Sequence, residues 1–433
     1  MEISPKQQWR NALASTIGNM LEWYDFIIFG FLSVLISRQF FPASDPYTAL
    51  LSTTATFGAG FIFRPLGGVL IGMYADRAGR KKALSLVITL MTFSTAILAF
   101  TPTYATIGVG ATVLVVLARI VQGISAGGEF GTATAVLVEF SPKNRKNLFG
   151  SLQMFAQCFG SLLSALMGTL LTTRFSDAEL ESWAWRIPFV VGLLIGPLGF
   201  YLRRNMTETE AFEQAAHKPK GVLRETVRSH KREIAVAVAL SSTLNVMAYV
   251  VISYLPIYAV RNLGLPASVP FKVLVIAGIV RMILIPFFGI LADRIGADVI
   301  LRWTLWLILA VLYPCYYWTI HAPSIISVLG TSVIFAVLMG AFQGPISTYC
   351  AELFPVPVRS TGLSVAYNIG ASLLGGFTPF VLTWLLHDTG DKYIPAHYCA
   401  FFFVIGLIGL KFGAPTSHNS DAVEPLAKPI VNR

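Results

Sequence analysis

Long apolar runs separated by short polar or basic islands dominate this chain. Twelve runs of spanning length lie at about 13–36, 49–74, 83–101, 107–138, 148–173, 185–202, 234–261, 268–292, 299–319, 324–353, 361–386 and 395–413. About 20 consecutive apolar residues in a helix cross a bilayer. Only structures that satisfy their own backbone hydrogen bonds are stable there, so each run predicts a transmembrane helix. The first run is too long for a cleavable leader, and no small-residue cleavage site follows it before the next run. Composition agrees with the pattern. The chain is 55% hydrophobic and 12% charged, against about 25% charged in soluble chains. A soluble fold would need many helices with almost no polar face.

The formal net charge is +10, but its placement speaks against a nucleic-acid partner. Basic residues crowd alternate loops: Arg77, Arg80, Lys81 and Lys82; then Lys143, Arg145 and Lys146; then Arg203 through Arg232. The intervening loops carry little excess Lys or Arg. The positive-inside rule then places both termini and the central loop in the cytoplasm, and it reads Lys81, Lys82 and Lys146 as topology charges. Four cysteines, Cys158, Cys315, Cys350 and Cys399, have no paired spacing, so neither a disulfide frame nor a metal site is expected. No histidine falls at mid-membrane depth, and nothing in the chain calls for a cofactor.

The chain repeats itself. "GMYADRAG" (Gly72–Gly79) and "GILADRIG" (Gly289–Gly296) both read G-x-x-A-D-R-x-G, 217 residues apart. "VEFSPKNR" and "AELFPVPVR" each set a glutamate (Glu139, Glu352) ahead of a proline and an arginine (Arg145, Arg359). The repeats predict a six-helix bundle over 1–202, a linker at 203–232, a second bundle over 233–413 and a tail at 414–433. In such duplicated transporters the site lies between the halves, near the midplane.

These motifs resemble the major facilitator superfamily. "GNMLEWYDF", "FIFRPLGG", "RIVQGISAGGEFG", "WAWRIPF" and "LRRNMTETEAF" resemble its metabolite–proton symporter family, and most of all the bacterial citrate–proton symporter and tricarballylate carrier branch. The resemblance implies an all-α integral membrane protein with twelve transmembrane helices in two pseudo-symmetric six-helix bundles. It also implies a bacterial inner-membrane, monomeric transporter that carries a small carboxylate together with protons by alternating access. Its loop motifs imply a gate at the cytoplasmic rim made by Asp76, Arg77, Arg80, Glu139 and Arg145, with a copy at Asp293, Arg294, Glu352 and Arg359. Ala297 replaces the arginine found at Arg80, so the copy is expected to hold less strongly.

Charges inside spans cost about 2.5–3.5 kcal/mol on insertion scales and usually face a cavity or a partner. Six lie well inside: Glu22, Asp25, Glu129, Arg64, Arg119 and Arg281. Arg64 and Arg281 each precede a motif aspartate by twelve residues, which is about 18 Å of helix. They therefore sit at equal depth, one per half, where two guanidinium forks suit a guest with two or more carboxylates. The competing reading for each is a local ion pair. With no histidine at depth, an acid must carry any coupled proton. By resemblance to proton–sugar carriers, Asp25 pairs with Arg119 and is the first choice, with Glu22 and Glu129 as alternatives. Asn19, Gln122, Gln153, Gln157, Asn245, Tyr249, Tyr254, Gln343, Tyr367 and Asn368 fall on cavity-lining spans of that family, as contacts to the guest or as interhelical glue.

The expected function is proton-coupled import of a di- or tricarboxylate, citrate or tricarballylate first. A polyanion entering a negative-inside cell meets about 2.3 kcal/mol per charge per 100 mV, which co-transported protons remove. The same fold could instead serve 2-oxoglutarate, shikimate, proline or betaine. A membrane sensor or intramembrane enzyme is the third class. It finds no Ser/His dyad, metal cluster or phosphate loop in support.

Overall fold

The computed structural model describes residues 5–41, 46–214, 222–255, 258–259, 263–264 and 268–413. Among these residues the regular structure is helical throughout. The long helices of the first half are α1 (Pro5–Phe31), α2 (Pro46–Ala78), α3 (Arg80–Phe100), α4 (Val109–Glu139), α5 (Lys146–Arg174) and α6 (Ile187–Arg204). Those of the second are α7 (Lys231–Ala248), α8 (Ser268–Ile295), α9 (Ala297–His321), α10 (Ile325–Glu352), α11 (Arg359–Asn368) and α12 (Ile394–Phe412). α7 runs on into a wide-turned stretch, Tyr249–Tyr254. α11 runs on through wide turns at Ile369–Gly375 and then Thr378–Thr389.

Among the described residues, 10 spans are long and apolar enough to cross a membrane. α1 and α2, which carry Glu22, Asp25 and Arg64, complete the twelve. α1 begins well before the apolar run at 13 because polar residues tie its first turns down. Arg10 Nη2 donates to the Asn205 carbonyl at 2.6 Å, and Asn11 Nδ2 to Thr207 Oγ1 at 3.1 Å.

Each bundle closes on its own apolar core. In the first half Leu21, Ile28 and Phe29 of α1 pack with Ile88 of α3, Val115 of α4 and Phe189 of α6. In the second, Leu244, Ile285, Leu305, Phe342 and Phe402 pack together. That second core continues across the seam to Phe130 and Met154 of the first half. Ile62, Phe93, Leu194, Ile283, Trp303 and Phe380 are each more than 60% exposed. So much apolar surface facing outward has no place in water and needs a lipid solvent. The halves meet along two lines, α2 against α11 and α5 against α8 and α10.

Candidate functional site

At the basic end of the bundle the repeated motif makes the same turn and the same backbone cap in both halves. Gly79 and Gly296 have φ of 108° and 98°, a region that favours glycine, and they turn the chain between α2 and α3 and between α8 and α9. Gly72 and Gly289 let the opposite half approach: a Cβ would stand 3.0 Å from Thr361 Cα in one case and 3.0 Å from the Asn147 carbonyl in the other. Asp76 then accepts the backbone N–H of Ser360 at 3.2 Å and of Thr361 at 2.8 Å, in the first turn of α11. Asp293 accepts those of Asn147 at 2.7 Å and Leu148 at 3.0 Å, in the first turn of α5. Each half thus supplies a carboxylate to the orphan donors and positive dipole end of a helix in the other.

Charge reinforces the first of these caps more than the second. Arg80, fully buried, reaches Asp76 at 2.8 Å, Glu139 at 3.4 Å and the Val356 carbonyl at 2.8 Å. Glu139 also binds Arg359 across the seam at 3.0 Å. Lys146, read from sequence as a topology charge, instead bridges the halves to Glu352 at 2.7 Å. Arg77, Arg145 and Arg294 lie exposed on the rim, Arg145 within electrostatic reach of Asp293. Deeper along the seam Asn368 Nδ2 donates to the Gly127 carbonyl at 2.7 Å. The halves are therefore in contact at this end.

The intramembrane charges fall into separate groups. Glu22 and Arg64 form a buried pair, Oε1 to Nη2 at 2.6 Å. The Arg64 guanidinium lies over Phe26 (4.5 Å) and Phe61 (5.0 Å). Phe61 is in turn edge-on to Tyr249 of the second half at 6.2 Å. Tyr249 and Tyr367 both lie within electrostatic reach of Glu22 and Arg64. Tyr367 stacks on Phe130 at 3.5 Å, with Gln157 and Asn245 beside its hydroxyl. This pair occupies the crossing of α1 and α2 with α7 and α11.

Asp25, one turn further along α1, is fully buried inside the first half. Its carboxylate takes the Thr95 hydroxyl and lies near Arg119. Arg119 donates to Gln122 Oε1 at 2.6 Å and covers Phe26 (4.3 Å) and Phe29 (4.4 Å). The Phe26 ring is thus in contact with the guanidinium groups of both Arg64 and Arg119. Glu129 pairs with Arg203, whose guanidinium also donates to the carbonyls of Ala14 (3.0 Å), Ser15 (3.0 Å) and Leu84 (2.6 Å). That arginine, read from sequence as the first residue of a basic linker, belongs to the last turn of α6 and ties α1, α3, α4 and α6 together.

Arg281 stands apart from the other cations. Its Nε and Nη2 donate to the thiol of Cys158 on α5, at 3.4 and 3.3 Å. Among the described residues no carboxylate lies within ion-pair distance of it. It borders a chamber of about 420 Å³ walled by Ile27 and Phe31 of α1, Leu162 and Ala165 of α5, Leu274 of α8 and Met339 of α10. The structure therefore brings Arg64 and Arg281 into different surroundings, one on an acid and one on a thiol.

Of the polar neutral residues, Asn19 bonds the Gln153 carbonyl at 2.9 Å and Asn245 its own helix at Ser241. The side-chain amide of Gln153 and Oε1 of Gln343 are buried without hydrogen-bond partners among the described residues. Tyr254 is buried in the second core. Sequence reasoning missed Arg203, Thr95 and Glu208. Glu208 accepts the backbone N–H of Arg80 at 3.0 Å and of Lys81 at 3.3 Å, capping α3 from beyond α6. One signal was available: an acid inside a span, Glu129, requires a base from another helix.

Known proteins share this architecture. The family model described as Major Facilitator Superfamily matches residues 15–379. The chain is 35% identical to a citrate-proton symporter of Salmonella typhi, over 91% of this chain and 91% of that protein. It is 32% identical to a proline/betaine transporter of Salmonella typhimurium, over 91% of this chain and 81% of that one. Among solved structures, the proton:xylose symporter XylE bound to 6-bromo-6-deoxy-D-glucose superposes with a TM-score of 0.81 at 17% identity, covering 96% of this chain and 97% of that one. At that identity the likeness speaks to the fold. With the family match spanning most of both halves, this chain belongs to the major facilitator superfamily.

Proposed function

We propose that the protein is a secondary transporter that imports a di- or tricarboxylate together with protons, with citrate and tricarballylate as the leading substrates. The observation that supports this most is the buried Glu22–Arg64 pair at the crossing of the halves, with Tyr249 and Tyr367 beside it. A guanidinium held by a carboxylate of the protein can be handed to a carboxylate of a guest once that acid takes a proton. Charge balance supports the same reading. Arg203 is matched by Glu129, Asp25 lies near Arg119, and Glu22 holds Arg64, while Arg281 has a thiol and, among the described residues, no acid. A first guest carboxylate therefore meets Arg281 without displacing an acid of the described residues, and a second requires Glu22 to be neutralised. Asp25 with Thr95 and Arg119 serves as a further acid inside the first half. Relatives named as citrate-proton symporters agree with this substrate class.

The basic rim, taken as the cytoplasmic one by its loop charges, is the gate: Asp76, Arg80, Glu139, Arg359 and Asp293 hold it shut. In that orientation both termini are cytoplasmic and the protein sits in the bacterial inner membrane. Relatives that are proline/betaine transporters support the alternative of a zwitterionic solute. Proteoliposome uptake decides between them. Labelled citrate or tricarballylate should accumulate under an inward proton gradient, and uptake should vanish in Arg64→Gln. Gradient-driven uptake of proline or betaine, with no carboxylate taken up, would overturn the proposal.

A further inference from the structure

The chamber beside Arg281 carries information about the guest that its charge alone does not. We infer that it receives a carboxylate borne on a hydrocarbon arm, so that the transporter selects hydroxyl-free di- and tricarboxylates over their hydroxylated counterparts. This rests on the carboxylate reading above and narrows it.

Arg281 is 8% exposed, and among the described residues the hydrogen-bond partner of its guanidinium, the Cys158 sulfur, is a weak acceptor. The thiol proton itself goes to the Gly278 carbonyl at 3.4 Å. A guanidinium carries five donors, so in these walls its strong complement is an anion from outside. The rest of the lining offers little else that is polar. Among the described residues its hydroxyls are those of Ser161, Thr169 and Thr172, all on α5. Each has committed its proton to a carbonyl one turn back in its own helix, at 2.9, 2.9 and 3.0 Å. No amide or carboxylate side chain borders the chamber among the described residues.

A guest hydroxyl placed there would exchange its water partners for walls that are mostly Leu, Ile, Met and Ala, with hydroxyl oxygens along α5 alone left to accept from it and no free donor among the described lining hydroxyls, which is unfavourable. The chamber is equally ill suited to a quaternary ammonium group. Such cations are recognised by several aromatic faces, whereas the described lining contains Phe31 alone and already holds the positive charge of Arg281.

Matched pairs of acids test the inference on the purified full-length chain, through the rise in its thermal unfolding midpoint as each ligand is titrated. Citrate is tricarballylate with one added hydroxyl, and 2-hydroxyglutarate stands in the same relation to glutarate. The hydroxyl-free member of each pair should bind more tightly, by up to about 100-fold, the usual ceiling for rejection of a hydroxyl by an apolar pocket. Phenylsuccinate should bind at least as well as succinate. Arg281→Gln should lose binding of all these acids. Leu274→Asn, which sets an amide of similar size in the chamber wall, should narrow the preference while leaving the protein folded, because an amide keeps polar atoms free after one bond to its own helix. Equal or stronger binding of the hydroxylated acids, or an unchanged preference in Leu274→Asn, would overturn the hydrocarbon-arm inference and leave carboxylate transport standing. Stabilisation by proline or betaine with none by any acid would instead remove the carboxylate reading itself.

Discussion

Replacing Asp76 by asparagine should open the basic rim far more than the same change at Asp293. Asp76 accepts two backbone N–H groups and an arginine, all buried. Asparagine keeps one acceptor oxygen but loses the charge, and its amide would oppose the second N–H. Hydrogen bonds to a charged group contribute about 1.5–3 kcal/mol each, so the closed rim should lose roughly 2–4 kcal/mol. At about 1.4 kcal/mol per factor of ten, this shifts the closed-to-open ratio by about 30- to 700-fold. Asp293 accepts two N–H groups as well, but it is partly exposed and Ala297 stands where the first half has Arg80. Water can replace part of what is lost there, and about 1 kcal/mol, or roughly fivefold, is expected. Spin labels at the exposed positions Lys82 and Asp298 report the separation of the halves in pulsed dipolar spectra. The account requires a large new long-distance population in Asp76→Asn and a small one in Asp293→Asn. Equal populations in the two variants, or a larger one in Asp293→Asn, would refute it.

Arg203→Met should leave Glu129 buried without its cation and three helix carbonyls without their second donor, lowering stability by about 3–5 kcal/mol. Adding Glu129→Gln should recover part of that loss in thermal unfolding, and no recovery would mean that the pair is not what holds these helices. Thr95→Val should remove the hydroxyl on Asp25 and alter the pH dependence of uptake, while Asp25→Asn should abolish that altered dependence. A pH profile unmoved by Thr95→Val would place Asp25 outside the proton path.

The bundle was legible in the sequence because a bilayer demands long apolar runs and repeated motifs mark equivalent turns. The motif aspartates could be placed at the rim from the repeat, and Gly79 and Gly296 explain why the motif ends in glycine. Partnerships across helices were harder to read. Arg64 and Arg281 share a depth, yet one faces Glu22 and the other Cys158, because lateral neighbours are fixed by packing that no single helix encodes. Arg203 looked like one more basic loop residue until α6 carried it into the core. Lys146 was read as a topology charge for the same reason, its partner Glu352 lying on the other half. Glu22 and Asp25 are three residues apart in sequence, but the first turns toward the second half and the second toward Thr95 and Arg119. A three-residue step on a helix rotates by about 300°, enough to divide two acids between two environments.

The proposal that a guest carboxylate replaces Glu22 on Arg64 is tested most directly by uptake of labelled tricarballylate into proteoliposomes carrying Glu22→Gln. With the acid permanently neutral, Arg64 stays available, so exchange of internal for external substrate should continue while accumulation driven by an imposed proton gradient disappears. Gradient-driven accumulation at the wild-type level in that variant would contradict the account.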